Sequence, residues 1–329
     1  MPMDIIEKYF GLKPHSTIQD GMWTRYVMDD LLYTIVPVTN FEEDTLIELY
    51  EMSEHMAKYG DRRVSVFVAS LDNKYLITHK EQDYVLLKNK YVTSSRGKNT
   101  GRMLAKFHER GKTLTSAPST VSRMGQWKEY WIKRLEQLEQ VWQATVAERP
   151  DEEFEKVFID SFPYYLGLCE NAIQYVTDTE MDVGSDMGER GTICHEQYRE
   201  ETWAGSIKIR SPFDWVYDHH SRDVAEWIRD CYFKNSRSFQ PAMNQFLQGY
   251  QSIAPLSDLS WRLTYARLLF PLHYFSCVEE YFIGSSRWSK AELVTNLRKY
   301  IRDSTDYELF LKHFYQLAGA KKFPILDWL

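Results

Sequence analysis

The predominant period of the hydrophobic pattern of this chain changes near residue 91. Before that point the apolar residues form short runs of strand type, as in Leu31–Val36 and Val64–Val68. After that point they recur every three to four residues, which is the spacing of amphipathic helices. The pattern therefore predicts an α+β fold, with a small β-rich part followed by a large helical part.

The β-rich part is predicted to contain one helix among its strands. Arg25–Met28 and Leu31–Val36 form a hairpin whose turn is Asp29-Asp30, because both runs favour strands and the pair between them favours a turn. A helix is predicted over Phe41–Tyr59, ending at Gly60. Further strands are predicted over Val64–Val68, Tyr75–Thr78 and Tyr84–Leu87.

The second part is predicted to be almost entirely helical, apart from a strand-like piece at Ser206–Ile209. The predicted helices are Thr100–Arg110, Met124–Val146, Phe154–Tyr175, Val224–Tyr232, Pro241–Ser252, Asp258–Phe282, Lys290–Arg302 and Asp306–Leu317. The predicted organisation is thus a lobe of residues 1–90, a linker of residues 91–99 and a helical lobe of residues 100–329.

Charge and cysteine content exclude several classes of protein. The net charge of −7 argues against a surface that binds nucleic acid. The four cysteines are scattered, without zinc-ligand spacing or a disulfide framework. The first residues lack a basic-then-apolar signal, and the apolar stretch Leu268–Leu272 is too short to span a bilayer. We therefore expect a reduced, intracellular-type protein without membrane insertion.

The segment His195–Trp203 resembles the catalytic loop of phosphoryl-transfer enzymes, which reads H-x-D-x-x-x-x-N. The Asp of such a loop orients or deprotonates the acceptor hydroxyl, and the Asn holds a metal ion on the phosphates. Here His195 is kept, but Gln197 stands at the Asp position and Thr202 at the Asn position. A neutral amide is no general base near neutral pH, and a lone hydroxyl is a poor metal ligand.

Other motifs widen this resemblance to most of the chain. Gly101–His108 resembles the "LA-x-[LF]-H" helix of aminoglycoside phosphotransferase and choline kinase relatives. Cys194–Tyr198 is similar to the "C-H-x-D-Y" loop of the spore-coat branch of that superfamily, and Ser221–Ala225 to its "x-R-D-L" segment. Trp261–Phe282 matches the C-terminal helix of the same branch. The chain is identified as a member of the CotS-type spore coat proteins.

The resemblance implies a two-lobed protein-kinase-like fold whose active site is broken at further positions. The lysine that holds the nucleotide phosphates falls at Val36, so the helix acid that pairs with it, one of Glu48, Glu51 or Glu54, is expected to lack a partner. The metal-binding Asp, by the usual spacing of the family, falls at Ser211. Asp214 takes that role only if the loop is shorter here.

Two functions follow as hypotheses. In the first, the protein is a pseudokinase: a structural or interaction component that contacts other spore coat proteins and has no cofactor. It is then expected in the mother-cell cytoplasm during sporulation and afterwards in the spore coat. In the second, it is an active Mg-ATP-dependent phosphotransferase for a small hydroxyl compound. That enzyme would use Asp214, Glu196 or Glu200 as metal ligand or base. The joint replacement of Lys, Asp and Asn favours the first.

Three other patterns have less specific interpretations. The acidic run Asp178–Glu189 nearly matches an EF-hand loop but has Val183 where glycine is needed, so an acidic solvated loop is favoured. The pair His219-His220 is interpreted as a turn rather than a metal site. Cys194 beside His195 is interpreted as a buried thiol next to a structural histidine rather than as a nucleophile with its base.

Overall fold

The computed structural model describes residues 2–21, 23–90, 99–183, 189–199, 202, 209–284 and 288–326. The strands are β1 (Ser16–Asp20), β2 (Trp23–Met28), β3 (Leu31–Pro37), β4 (Val66–Val68), β5 (Leu76–His79), β6 (Gln82–Lys90), β7 (Thr192–His195) and β8 (Trp215–Asp218). The helices are α1 (Pro2–Phe10), α2 (Glu43–Lys58), α3 (Thr100–Gly111), α4 (Trp127–Glu148), α5 (Glu153–Val183), α6 (Ser221–Lys234), α7 (Gln240–Gln251), α8 (Asp258–Leu269), α9 (Leu272–Ile283), α10 (Lys290–Arg302), α11 (Ser304–Lys312) and α12 (Phe314–Leu317).

The chain divides into two compact units. The first contains residues 1–123, 190–223 and 248–254, and the second contains residues 124–189, 224–247 and 255–329. Residues 91–98 of the predicted linker lie outside the described residues, so the division into lobes at residues 91–99 stays a prediction. None of the helices in the described ranges is long and apolar enough to cross a membrane.

The first unit is built on an antiparallel sheet in the order β1-β2-β3-β6-β4, with β5 also paired to β6. The predicted strands Leu31–Val36 and Val64–Val68 therefore belong to one sheet, as expected. Helix α1 buries Ile5, Ile6 and Phe10 in a cluster with sheet residues such as Leu86. Sequence reasoning missed α1 and β1, because both are short and α1 gains its stability from this packing.

A second ladder in the same unit pairs β7 with β8, antiparallel. Its register places His195 opposite Trp215 and Thr192 opposite Asp218. The described chain from Val121 to Arg123 runs alongside β8, where the Tyr217 amide donates to the Val121 carbonyl at 3.0 Å and its carbonyl accepts from the Arg123 amide at 2.8 Å. This ladder holds the start of the loop that the sequence predicts to be catalytic.

The second unit is helical, with an aromatic core. Tyr165 of α5 stacks on Tyr274 of α9 with ring centroids 3.7 Å apart, and Trp142 of α4 stacks on Phe162. The predicted single helix Asp258–Phe282 is wrong, because the chain breaks between α8 and α9. Pro271 lacks an N–H and restricts the residue before it, and Phe270 is extended (φ −64°, ψ 117°).

The acidic run after residue 178 is not a calcium loop, nor is its first part the solvated loop that the sequence favours. Residues 178–183 form the last turns of α5. An EF-hand loop needs its first six positions in a turn that wraps around the ion, and helical backbone cannot provide that arrangement. The helix continues here because Thr177, Thr179 and Glu180 tolerate helical backbone and nothing before Val183 ends it.

Candidate functional site

The β7–β8 ladder brings Asp214 to the start of the candidate catalytic loop. The Glu196 amide donates to the Asp214 carbonyl oxygen at 2.8 Å, which follows from the pairing of His195 with Trp215. Ser211 lies three residues earlier and caps a short 3₁₀ turn over Pro212–Asp214, where its hydroxyl oxygen accepts from the Phe213 amide. Asp214, and not Ser211, is therefore the residue placed beside the loop.

His195 is fixed by a buried aspartate. The Asp223 carboxylate accepts from the His195 amide at 2.9 Å, and its second oxygen lies 2.7 Å from His195 Nδ1. That second oxygen is also 3.1 Å from Nε2 of His108, whose Nδ1 is 2.7 Å from the Tyr250 hydroxyl. All four side chains are buried. His195 thus has a structural role, which anchors the loop to α3 and to the start of α6.

The electrostatics of this network favour an ionised Asp223. Burial opposes ionisation, but His195 and the hydrogen bonds from both histidines outweigh it and hold the Asp223 pKa below its usual range. Burial lowers the pKa of His108, against the opposing effect of Asp223. The carboxylate is therefore a fixed acceptor that orients two imidazole rings.

Arg222 clamps the loop from the other side. Its guanidinium donates to the backbone carbonyls of His195 at 2.9 Å and Glu196 at 3.0 Å, and to the Asp218 carboxylate at 3.0 Å. Sequence reasoning singled out Arg222 only as part of a motif, without this role. The sequence did offer a signal for this role, because Arg222 directly precedes Asp223. Two neighbouring residues at the start of a helix can contact the same loop from two directions.

The two substituted positions take part in local contacts of the loop. The Gln197 side chain is exposed, and its carbonyl oxygen accepts from the Arg199 guanidinium at 2.9 Å. The Thr202 hydroxyl oxygen accepts from the Arg199 amide at 2.9 Å. Both side chains therefore serve the internal structure of the loop. Glu200, a candidate base or metal ligand, lies outside the described residues.

Val36 is an ordinary interior residue of the sheet. It lies on β3 opposite Val85 of β6 and is 4% exposed. Thr34, two residues earlier on the same face, accepts a hydrogen bond from the Arg25 guanidinium at 2.7 Å. Arg25 comes from β2 and donates through Nε to the Asp20 carboxylate at 3.1 Å. The Arg25 guanidinium thus reaches this face of the sheet from β2, and it is already paired with the Asp20 carboxylate.

Asp214 lies within electrostatic reach of both Arg25 and His195. Its side chain keeps contact with solvent, but the surrounding protein restricts hydration and raises its carboxyl pKa, while His195 and Arg25 act in the opposite direction. The Asp214 carboxyl is thus influenced electrostatically by a cation of β2 and by the anchoring histidine of the loop. A carboxyl group whose pKa is raised is a weak Mg²⁺ ligand on its own.

Glu48 of α2, one of the three candidates for the helix acid, is hydrogen-bonded to a loop. Its carboxylate accepts from the backbone amides of Ser119, Thr120 and Val121 at 2.7 to 3.0 Å, and from the hydroxyls of Ser119 and Thr120. Partial burial raises the Glu48 pKa, but these hydrogen bonds, led by the Thr120 hydroxyl, outweigh it and lower the pKa to about 2. The acid binds a loop rather than a lysine.

Two rival patterns have structural roles. The Cys194 thiol is buried and donates to the backbone carbonyls of Asp218 and His219, at 3.7 and 3.5 Å. It belongs to a group of possible metal ligands with His108 and Asp223, whose ligand atoms lie within 4.8 Å of one another. Because Asp223 already accepts hydrogen bonds from His108 and His195, the geometry fits that hydrogen-bond network better than a metal site. His219 and His220 are buried and stacked on each other, 4.2 Å between centroids.

Comparison with known sequences places this chain among spore coat proteins. A family model described as "Spore coat putative kinase YutH" matches residues 3–314. The endospore coat-associated protein YutH of Bacillus subtilis (strain 168) is 42% identical over 301 residues, covering 90% of this chain and 88% of the relative. The spore coat protein S of the same strain is 22% identical, covering 67% of this chain and 65% of the relative.

Comparison with solved structures identifies the fold. The crystal structure of an aminoglycoside phosphotransferase from Alicyclobacillus acidocaldarius superposes with a TM-score of 0.67 over 94% of both chains, at 13% identity. The AMP-bound spectinomycin phosphotransferase superposes with a TM-score of 0.60 over 98% of both chains, at 12% identity. The fold is therefore the predicted protein-kinase-like fold of the aminoglycoside phosphotransferase type, with a small antiparallel sheet lobe and a large helical part.

Proposed function

The chain belongs to the YutH family of spore coat proteins, and from this premise we propose that it is a pseudokinase that acts as a structural or interaction component of the coat. In this proposal the kinase-like fold is retained as a scaffold and contacts other coat proteins. The homologues named as coat proteins support the coat association. The protein acts without cofactor or metal, and it reaches the spore surface from the mother-cell cytoplasm through protein contacts.

The observation that carries the loss of catalysis is Gln197 at the position of the catalytic aspartate. A carboxamide neither accepts a proton from an acceptor hydroxyl nor attracts one electrostatically near neutral pH. Its carbonyl oxygen is also engaged with Arg199. Losing one positioned group of this kind typically costs about 10²–10³ in rate, and the loss of the metal ligand at Thr202 adds to it, although not in simple proportion.

The charges around the sheet support the same proposal. Kinase catalysis depends on an ion pair between a strand lysine and a helix acid that positions the nucleotide phosphates. Here β3 contains no lysine, and Glu48 is occupied by the amides of residues 119–121. Arg25 is paired with Asp20 through two contacts of 3.1 Å, so a phosphate would have to compete with that carboxylate.

One observation favours a second candidate, an active phosphotransferase for a small hydroxyl compound. Asp214, Arg25 and His195 lie close enough to influence one another, which leaves a carboxylate and a cation on the side where a nucleotide would bind. In that case Asp214 would hold Mg²⁺, and the ion would supply positive charge to neutralise the phosphates of ATP. Arg25 would then orient the transferred phosphoryl group. The replaced base at Gln197 argues against this candidate.

A phosphotransfer assay separates the two candidates. Purified protein is incubated with Mg²⁺ and γ-labelled ATP and with choline, sugar or aminoglycoside acceptors. We expect no labelled product above that of a protein-free control. Turnover that disappears in the Asp214→Ala variant but persists in an Asp151→Asn variant, a change in an exposed loop, would establish the second candidate and end the pseudokinase proposal.

A further inference from the structure

The first unit contains a cavity of about 370 Å³, and none of the candidate catalytic residues within the described ranges lines it. Its wall comes from three parts of the chain that are distant in sequence: the loop after α2, the start and one side of α3, and Arg210, two residues before the 3₁₀ turn. The described lining residues are Gly60, Asp61, Arg62, Arg63, Asn99, Arg102, Met103, Lys106, Arg110 and Arg210. We call this cavity the basic pocket.

The charge of the basic pocket is opposite to that of the chain. Six of its described lining residues are arginine or lysine, and Asp61 is the one acid among them. The whole chain carries a net charge of −7. Collecting cations at one concave surface concentrates positive potential there, and like charges repel unless an anion is bound between them. Without a bound anion this repulsion destabilises the fold, and an anionic ligand would remove that destabilisation.

Two of the cations are held in place by the single acid. The Asp61 carboxylate pairs with the guanidiniums of Arg210 and Arg110, the latter at 3.4 Å. Asp61 and Arg210 are both buried, with Arg210 only 6% exposed. This shared carboxylate fixes the back of the pocket, so that the positions of the two arginines are set before any ligand arrives.

Three other cations of the basic pocket are exposed, so that their charge is available to a ligand. Arg62, Arg102 and Lys106 have exposed side chains, and within the described ranges no carboxylate lies in ion-pair distance of any of them. Arg102 and Lys106 are four residues apart on α3 and therefore project from the same side of that helix. The Arg63 guanidinium donates to the Met103 sulfur at 3.5 Å.

From these observations we propose that the basic pocket binds a small ligand that carries at least two phosphate or carboxylate groups. Guanidinium forks bind such groups through paired charge-assisted hydrogen bonds, and the lysine adds a point charge. The volume is within the usual range of small-molecule sites. Its described lining does not include Arg25, Val36, Gln197 or Asp214, which stand at or near the positions of kinase active-site residues. The inference does not depend on the proposed coat function.

Inorganic pyrophosphate is a suitable probe, because it carries two linked phosphates and has no base or sugar to bind the catalytic cleft. The full chain is titrated calorimetrically in metal-free buffer at an ionic strength of about 50 mM, where screening is weak. We expect saturable binding without metal. The Arg102→Glu/Lys106→Glu variant is expected to bind at least roughly tenfold more weakly, because two charge-assisted contacts become repulsive.

The matched control reverses two other cations with the same spacing. Arg298 and Arg302 are exposed on α10, 62% and 72% respectively, and their reversal to glutamate changes the net charge equally. This control is expected to bind pyrophosphate within about twofold of the unchanged chain, a difference of under 1 kcal/mol by the usual conversion. Equal weakening in both variants would show a general charge effect and overturn the proposal.

Two further measurements test whether the variant is folded and whether the basic pocket binds an acidic peptide instead. Thermal unfolding checks that the charge-reversed chain is folded, and Arg102→Gln/Lys106→Gln replaces it if it is not, with the same direction of effect expected. A hexaglutamate peptide is titrated in parallel. If the peptide binds through Arg102 and Lys106 while pyrophosphate does not bind at all, the pocket recognises an acidic protein segment and the small-ligand proposal is wrong.

Discussion

At the scale of single residues, the side chains that position the loop are different from the side chain at its catalytic position. Asp223 holds His195 by two contacts and His108 by one, and Arg222 holds the backbone of the loop. That supporting network is complete. The position of the catalytic aspartate next to it carries Gln197, whose neutral carboxamide does not accept a proton near neutral pH. In the proposed pseudokinase the loop keeps its shape without its reactivity, because buried hydrogen bonds stabilise the fold independently of catalysis.

We expect Asp223→Asn to destabilise the protein by about 2–4 kcal/mol, because the amide loses the charge that strengthens three buried hydrogen bonds and cannot accept all of them equally well. Urea unfolding followed by circular dichroism measures the change. Asp151→Asn, in an exposed loop, serves as the control and is expected to shift the unfolding free energy by less than about 0.5 kcal/mol. Equal stability of the two variants would contradict the anchoring role.

At the scale of elements, one side chain joins helix α2 to the loop of residues 119–121. Three successive amides of that loop point at the Glu48 carboxylate, so the loop satisfies its backbone donors with a side chain instead of with secondary structure. Val121 then continues into the contact with β8. Glu48 thus connects α2 with the ladder that carries the candidate site.

Replacing Glu48 with glutamine is expected to lower the unfolding free energy at pH 7 by about 1–2 kcal/mol, a modest value because the carboxylate is partly exposed. The folded-state pKa of Glu48, about 2, is below its ordinary value, so the ionised form stabilises the fold. This contribution is complete above the ordinary pKa and is lost as the pH falls from there toward about 2. Glu51→Gln, on the same helix and exposed, is the control.

The measurement for Glu48 is chemical denaturation of the two variants and the unchanged chain at pH 7 and at pH 3.5. The stability difference between the unchanged chain and Glu48→Gln is expected to be smaller at the lower pH, whereas Glu51→Gln is expected to show little difference at either. A pH-independent difference for Glu48→Gln would mean that the ionised carboxylate is not what the loop recognises.

At the scale of the whole molecule, the distribution of charge matters more than its sum. The chain is acidic overall, yet six of its 40 lysines and arginines belong to the described lining of the basic pocket, while β3, where a nucleotide-binding lysine would stand, has none. A triphosphate needs fixed positive charge or metal to be held. We therefore propose that this kinase-like fold has a catalytic side with little affinity for nucleotide and, in the basic pocket, a surface suited to anions.

We expect the catalytic cleft to bind Mg-ATP with a Kd weaker than about 1 mM, which corresponds to less than roughly 4 kcal/mol of binding free energy. Calorimetry on the Arg102→Glu/Lys106→Glu variant measures this without a contribution from the basic pocket. Micromolar binding in that variant would contradict the expectation. If adding Arg25→Gln to that variant abolished the micromolar binding of Mg-ATP, Arg25 would have taken over the role of the lysine.

A fluorescent fusion of the full chain is expected to move from a diffuse distribution in the mother cell to the surface of the developing spore, because in our proposal attachment is through contacts with other coat proteins. Fluorescence microscopy through sporulation follows this movement, with the unfused fluorescent protein as the control. A fusion that stays diffuse until the spore is released would refute the proposed coat association.

Local patterns in the sequence determined the types of most elements and the chemistry of single positions. The hairpin of β2 and β3 and helix α10 follow from apolar spacing and from residues that favour turns and caps, such as Ser289 with Glu292. That Gln197 is no base follows from its identity alone. Such properties depend on neighbours within a few residues, which the sequence displays directly.

Only the tertiary structure decided which distant residues meet. Asp214 rather than Ser211 stands beside the loop because of the β7–β8 register, and Glu48 meets a loop about 70 residues away in the chain. Helix α1 forms because the sheet covers its apolar side, and the basic pocket exists because three separate stretches converge. These features depend on the path of the chain, and the energy of each contact is realised only after many others have brought its partners together.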